Sequence, residues 1–500
     1  MNSEAKKTIS HAGIYAIGNI LRYMVSFIML PIYTRCLTPA DYGIIELLSM
    51  IIDLSGILLG LRMGEAIFRF YTQYDSQDDK NEVVSTSLIL LGILNIAGVS
   101  ILMFGSNLVS SLVFGSGEYA YFVSLFALTL LFNSFIEIPL LFVRAQQKPW
   151  LYVTFSLLKL MVQLTLNIYF VVILRMGVEG VIYSTLLSGA VIAAVMLGYT
   201  FVHIKIRFAR DKAGKLVTFS LPLVFASLIS FYFTFGDRFV LRMFAGLEGV
   251  GIYALGYKFG FLLRYFVWEP FGNIWDTQKY EIYRQDNARQ IYQQYFFAIN
   301  VVMIFFALVV SIFIKDLLRV MSAPEFVSAH KVVPFVMAAY LLQSLASFCD
   351  LGIMLKGKTF YITQATIISA VVITLGWITL IPIFGVLGAA LATLIGFLAR
   401  FLWIYTKSKK LFDMKLSWKK MHMTIALALG VYFLSFLSPS GLIYAIGFHL
   451  LLVSAFILLF VTLPIMSRQE KEWIANMLYR IPIIRHVPIL KGLIAKVMYF

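Results

Sequence analysis

The sequence predicts an all-α integral membrane protein of about fourteen transmembrane helices, and three observations predict it. The 500-residue chain is 60% hydrophobic and only 13% charged, against about 25% charged residues in a soluble domain. Nearly all of its length falls in apolar runs of roughly eighteen residues or more, the length that crosses a bilayer as a helix. Its basic residues alternate between dense and sparse loops, as membrane orientation requires.

The runs place spans at 12–33, 43–61, 84–104, 119–141, 152–174, 180–201, 217–235, 250–270, 295–314, 332–355, 361–381, 386–405, 422–437 and 441–464. Lys6 and Lys7 precede the first run. That run is longer than a signal-peptide core, and no small-residue cleavage site follows, so it reads as a span. The tail from Pro464 mixes basic residues with Trp473, Leu478, Ile481 and Ile484, a pattern of an amphipathic segment lying on a membrane surface.

The net charge of +16 would suggest a nucleic-acid partner in a soluble protein. Here orientation accounts for it, and no nucleic acid is expected. With the N-terminus inside, inner loops and the tail carry 29 of the 41 Lys and Arg residues, and outer loops carry seven. A miscounted span would scramble this asymmetry midway. Both termini are therefore expected in the cytoplasm. Cys36 and Cys349 show neither metal-ligand spacing nor a disulfide framework, and read as packing residues.

The chain repeats itself at an offset of 208 residues. Asp41-Tyr42-Gly43-Ile44-Ile45-Glu46-Leu47 matches Gly249-Val250-Gly251-Ile252-Tyr253-Ala254-Leu255. Gly177-Val178-Glu179-Gly180 with Thr185 matches Gly385-Val386-Leu387-Gly388 with Thr393, and Lys148 matches Lys356. Each copy holds six spans, an even number, so both copies share one orientation and their pseudo-two-fold axis runs along the membrane normal. The expected organisation is a six-helix lobe over 1–210, a second over 211–412, two additional helices over 413–465 and a cytoplasmic tail over 466–500. Paired lobes around a cleft suit alternating access.

Polar stripes mark where a cleft lies. Tyr15, Asn19, Arg22 and Ser26 share one face of the first span; Glu46, Ser49, Asp53, Gly56 and Gly60 share one face of the second. Arg22 and Asp53 fall near the midplane, where ionisable groups face a cavity or the bundle interior. The repeat maps Asn19, Arg22 and Ser26 onto Ser227, Ser230 and Thr234, and it maps Ser49, Asp53, Gly56 and Gly60 onto Tyr257, Phe261, Arg264 and Trp268. Arg22 and Arg264 then come from different lobes, and two guanidinium groups in a dehydrated cleft suit a phosphate or pyrophosphate. Asn19, Ser26, Lys159 and Lys258 are further candidates to line the cavity. The fifth span carries Ser156, Lys159, Gln163 and Asn167 on one stripe, and the tenth carries Gln343, Ser347 and Asp350. Asp53 and Asp350 are candidate coupling or cavity carboxylates. Each has a plainer reading: Arg22 and Asp53 also suit a structural ion pair with each other, Lys159 suits the inner interface, and Arg400 suits a snorkelling arginine. Glu137 and Glu269 lie near span ends. Tyr257 and Trp268 have the ring shape that stacks on sugars. No catalytic or metal-ligating set stands out, and no cofactor is expected.

With these residues in view, the chain resembles the polysaccharide flippases of the multidrug/oligosaccharidyl-lipid/polysaccharide (MOP) exporter superfamily, the Wzx-like transporters of O-antigen and capsule repeat units. The resemblance rests on Leu37-Thr38-Pro39-Ala40-Asp41-Tyr42-Gly43-Ile44, on Gly236-Asp237-Arg238-Phe239, and on the Gly246–Lys258 stretch Gly246-Leu247-Glu248-Gly249-Val250-Gly251-Ile252-Tyr253-Ala254-Leu255-Gly256-Tyr257-Lys258. It runs over the whole chain, including the fourteen-span count. It implies a V-shaped, two-lobed MATE-like transporter that moves an undecaprenyl-pyrophosphate-linked oligosaccharide to the outer leaflet. It also implies a cationic cavity, coupling to an H+ or Na+ gradient, and a polymerase and other glycan-assembly proteins as partners. The related lipid II flippases use basic residues in the first, second and eighth spans. Here the second span has Asp53 at its middle and only Arg62 at its inner end, which argues against lipid II. The sequence contains no Walker A motif, consistent with ion coupling.

Three other readings compete. A multidrug cation exporter of the same superfamily favours an acidic cavity and twelve spans. A glycan polymerase or glycosyltransferase needs a large outer loop with catalytic acids, and the longest here, 315–331, offers only Asp316 and Glu325. A structural scaffold leaves the midplane charges without a purpose.

Overall fold

The computed structural model describes residues 27–466 and Lys471. Asn19, Arg22, Ser26 and the amphipathic tail therefore lie outside the described residues. Among the described residues the chain is helical throughout, with no strand. Among the described residues twelve helical segments are long and apolar enough to cross a membrane, so the chain is a multi-pass membrane protein. Thirteen of the fourteen predicted spans fall within them, because Arg210–Tyr283 holds two. That segment has 74 residues, about 110 Å of helix at 1.5 Å per residue, far more than the ~30 Å of a hydrocarbon core. It breaks at Gly246, whose φ of 66° and ψ of −171° are accessible essentially to glycine alone.

Helix α1 (Pro39–Gly60) shows why the second span starts where it does. The Thr38 hydroxyl accepts from the Asp41 amide at 3.1 Å, and the Asp41 carboxylate accepts from the Thr38 amide at 3.0 Å. Two orphan amides are satisfied reciprocally, and Pro39 at the first helical position needs no partner. In the 208-residue register Thr38 corresponds to Gly246, so one helix starts on a capping box and its repeat equivalent on a glycine-only backbone.

The chain divides into two compact units. The first runs to Ala254 and takes in Met321–Glu325; the second runs from Leu255 to Val320 and resumes at Phe326. Met321–Glu325 belongs with the first because the Ala323 amide donates to the Thr34 carbonyl at 3.1 Å. Within the first unit the segment after the sixth span is strapped to α2 (Gln77–Phe104). The Arg207 and Ala209 amides donate to the Ser85 and Thr86 hydroxyls, and buried Lys212 pairs with Asp79 at 2.8 Å and Glu82 at 2.6 Å. In the second unit α3 (Ala288–Met321) carries buried Asp316, which pairs with His449 at 2.7 Å on α4 (Leu442–Thr462). Phe305 and Phe456 stack alongside, so the last helix docks by one polar clasp in an aromatic seam. Cys349 is buried, as expected of a packing residue, whereas Cys36 is exposed.

The two copies of the repeat touch inside the first unit. A Cβ on Gly43 would lie 2.0 Å from the Leu247 carbonyl oxygen, and one on Gly251 would lie 2.0 Å from the Pro39 carbonyl oxygen. Gly43 and Gly251 are repeat equivalents, as are Pro39 and Leu247. The contact is thus reciprocal, as a two-fold axis between the glycines requires, and only small residues permit backbones this close in a membrane. Gly43→Ala and Gly251→Ala are each expected to lower stability by about 1–3 kcal/mol through forced backbone shifts. Gly56→Ala, where an added Cβ meets nothing within 4 Å, should instead stabilise by roughly 0.5–1 kcal/mol. Thermal unfolding of the purified protein in detergent checks both signs.

Candidate functional site

The polar stripe of the second span divides between two environments. Ser49 and Asp53 face a partly open cavity of about 210 Å³, lined among the described residues by four spans of the first unit. Thr129 and Asn133 come from α-helical residues of the fourth span, Lys159 and Gln163 from the fifth, and Thr185 and Ser188 from the sixth; Ile52, Phe126 and Ile136 supply apolar wall. Two of the predicted site residues, Asp53 and Lys159, are thereby brought to one chamber.

The hydroxyls around it are largely committed. Thr129, Thr185 and Ser188 donate to the carbonyls of Phe126, Val181 and Thr185, three or four residues back on their own helices, at 2.6, 2.8 and 3.1 Å. This disposes of each proton and leaves lone pairs as acceptors. Asn167, on the same sequence stripe as Lys159 and Gln163, is instead structural. It is fully buried and accepts from Tyr33 at 2.8 Å and Ser184 at 2.7 Å. A π-helical turn, Ile168–Ile173, follows it; such turns shift the register of a helix, and here the stripe ends.

Glu46, one turn before Ser49, meets a cluster that the sequence pattern missed. Arg238 donates from Nε to Glu46 at 3.2 Å and from Nη1 to Asp237 at 2.8 Å, and the Tyr253 hydroxyl donates to Asp237 at 2.5 Å. Arg238 is 2% exposed and Asp237 fully buried. From sequence Arg238 counted among outer-loop charges. The signal that marks it is Gly236-Asp237-Arg238-Phe239, a motif already carrying the family resemblance. Two carboxylates around one guanidinium, with a phenol on the second, satisfy one another without water. Arg238→Ala would strand two buried carboxylates, and a cost of about 3–5 kcal/mol is expected, read as a fall in the melting midpoint. Arg238→Lys should recover only part of it, since an ammonium lacks the planar fork.

The second unit holds Lys258, Arg264 and Asp350. Lys258 is partly buried on the eighth span. Arg264 opens a π-helical turn, Arg264–Trp268, and its Nε lies 3.3 Å from Glu269. Residues five apart pair readily where the helix winds in i→i+5 steps. Asp350 stands at the joint after the helix Val333–Cys349, 3.6 Å from Lys279. Lys279, an inner-loop charge by sequence, is buried and also pairs with Asp276 at 2.8 Å. Arg400, read from sequence as a snorkelling side chain, is half-buried. Among the described residues its Nε has no hydrogen-bond partner, and it lies in the fields of both Asp350 and Arg264. Tyr257 is not available to stack on a sugar, because its hydroxyl bonds Tyr340 at 2.5 Å inside a packed aromatic cluster with Phe261.

Residues 32–274 match a family described as "Polysaccharide biosynthesis protein". The matched segment contains the whole chamber, the Arg238 cluster and the Gly43–Gly251 contact. By structure the chain is similar to the lipid II flippase MurJ in an inward closed conformation. The identity is 12%, the match covers 88% of this chain and 97% of that one, and the TM-score is 0.70. It is similar also to an inward-facing multidrug resistance MATE family transporter of the MOP superfamily, at 15% identity over 79% and 95% of the two chains, with a TM-score of 0.62. A mutant of the Vibrio cholerae MATE transporter VcmN matches at 15% identity over 82% and 98%, with a TM-score of 0.52. No curated protein matches by sequence. The fold is thus the one these transporters share, and the chain is a multi-pass membrane protein.

Proposed function

We propose that this protein is a flippase that carries an undecaprenyl-pyrophosphate-linked oligosaccharide repeat unit from the inner to the outer leaflet of a bacterial inner membrane by alternating access. The observation that carries this reading is the coincidence of a polysaccharide-biosynthesis family segment with a transporter fold and a polar chamber inside apolar helices. A glycan bearing two phosphates does not cross hydrocarbon unaided, since even one charge at the bilayer centre costs roughly 2.5–3.5 kcal/mol on the mildest scale. A polar route through the protein removes that barrier while the polyprenyl tail stays in lipid.

In this reading Arg22 and Arg264 bind the pyrophosphate, with Lys258 and Lys159 adding positive potential and Asn19 and Ser26 lining the path. Asp53 and Asp350 are the carboxylates through which an H+ or Na+ gradient drives the cycle. The loop asymmetry of 29 basic residues against seven supports cytoplasmic termini. The enzymes that build and polymerise the repeat unit are the expected partners.

The test is transfer between leaflets in liposomes containing a lipid-linked pyrophosphoryl oligosaccharide. Wild type is expected to move the lipid, faster under an imposed proton or sodium gradient. Arg22→Ala and Arg264→Ala should each slow it by about tenfold to a hundredfold, the worth of a lost charge-assisted hydrogen bond. Transfer by wild type with both variants unaffected would keep the function and discard the site. No transfer, with export of a lipophilic cation instead, would favour the multidrug exporter.

A further inference from the structure

We propose that the chamber among the second, fourth, fifth and sixth spans is a sugar-reading subsite, which takes one monosaccharide ring of the headgroup beside the pyrophosphate that Arg22 and Arg264 bind. The proposal rests on the flippase reading and assigns part of its substrate to named residues.

The size sets the first limit. Sites that enclose a whole drug-sized ligand run to roughly 300–1,000 Å³; this one measures about 210 Å³, room for one ring of a larger molecule. The charges set the second. Asp53 and Lys159 line the same small space, and among the described residues no arginine lines it, so a phosphate meets a carboxylate there and an organic cation meets an ammonium. A neutral polyol meets neither penalty. The hydrogen-bonding inventory sets the third. Thr129, Thr185 and Ser188 have spent their protons on their own helices and offer acceptors. The carboxamides of Asn133 and Gln163 line the chamber, and among the described residues neither is committed to a protein partner. A carboxamide presents donor and acceptor side by side, which matches a pair of neighbouring hydroxyls. Phe126, Ile52 and Ile136 give the apolar wall that the C–H face of a sugar ring covers.

The repeat provides an internal control for the plainer view that these polar residues merely hold helices together. At the offset of 208 residues, Asp53, Asn133, Lys159 and Gln163 correspond to Phe261, Leu341, Ile367 and Val371. The register is pinned on both sides of the fifth span by Lys148 with Lys356 and by Thr185 with Thr393. The second copy builds its equivalent helices with none of these four polar side chains, so the architecture does not require them.

The experiment compares two probes on the full-length protein in lipid nanodiscs: a polyprenyl diphosphate bearing one N-acetylhexosamine, and the same polyprenyl diphosphate without sugar. Wild type is expected to bind the sugar-bearing lipid about tenfold more tightly, as two to three net hydrogen bonds allow. In the double variant Asn133→Ala/Gln163→Ala that ratio should fall towards one. Gln163→Met keeps the side chain's length, removes its polar atoms, and should lower the ratio several-fold even if the double variant folds poorly. An unchanged ratio in a folded variant overturns the proposal, as does a wild type that binds both lipids alike, and either result leaves the flippase reading standing. A wild type that binds neither lipid overturns both. Binding of tetraphenylphosphonium that Asp53→Asn abolishes would assign the chamber to a cation and overturn the sugar reading.

Discussion

A polar group inside a bilayer has no water to fall back on, and every other feature of this protein is arranged around that constraint. The backbone meets it by being helical throughout the described residues. Side chains meet it by three devices. Hydroxyls return their protons to carbonyls of the preceding turn, as Thr200, Ser227 and Thr234 do. Carboxamides bridge helices, as Asn95 does to Ser134 and Asn167 to Tyr33 and Ser184. Charges neutralise one another in closed groups, as Arg238 does with Glu46 and Asp237. The places where the rule is not met internally are therefore informative, because a site must leave some hydrogen-bonding capacity unspent for its ligand.

Much of this was legible in the sequence, and the limit of legibility has a physical cause. Hydrophobic runs report the solvent around a helix, and they located thirteen spans within the described segments. Helical spacing reports which residues share a face, and it grouped Ser49 with Asp53 and Lys159 with Gln163, the pairs found in the chamber. Spacing does not report what a face meets. Glu46 sits on the same stripe as Asp53, yet its partner Arg238 is 192 residues away. Asn167 continues the stripe of Lys159 and is structural. Lys279 looked like a charge at a membrane surface because it stands near a span end; tertiary packing buries it beside Asp350. Local pattern finds the faces, and long-range pairing assigns them.

The repeat was the most productive sequence signal because it constrains long-range structure directly. An offset of 208 residues that aligns Gly43 with Gly251 gains physical meaning when these glycines pack reciprocally against each other's helix starts. The same register shows what each copy must keep and what it is free to change. Helix initiation is kept, by a capping box at Thr38 and by a glycine-only conformation at Gly246. Side-chain chemistry is not.

That freedom has been used asymmetrically. Where the first copy has Ser49 and Asp53 facing an open polar chamber, the second has Tyr257 and Phe261 packed against Tyr340, with ring centroids of Phe261 and Tyr340 4.8 Å apart. The second copy carries its charge elsewhere, on Arg264, Lys279, Asp350 and Arg400, on the eighth span and after it. A homodimer of identical halves would present the same chemistry twice to a ligand that is itself asymmetric. Duplication within one chain keeps the two-fold packing that joins the helix starts, and it lets the two copies carry different side-chain chemistry on equivalent helices. On the proposed function, the cargo is a lipid-linked glycan with neutral rings at one end of its headgroup and phosphate at the other, for which such a division is useful.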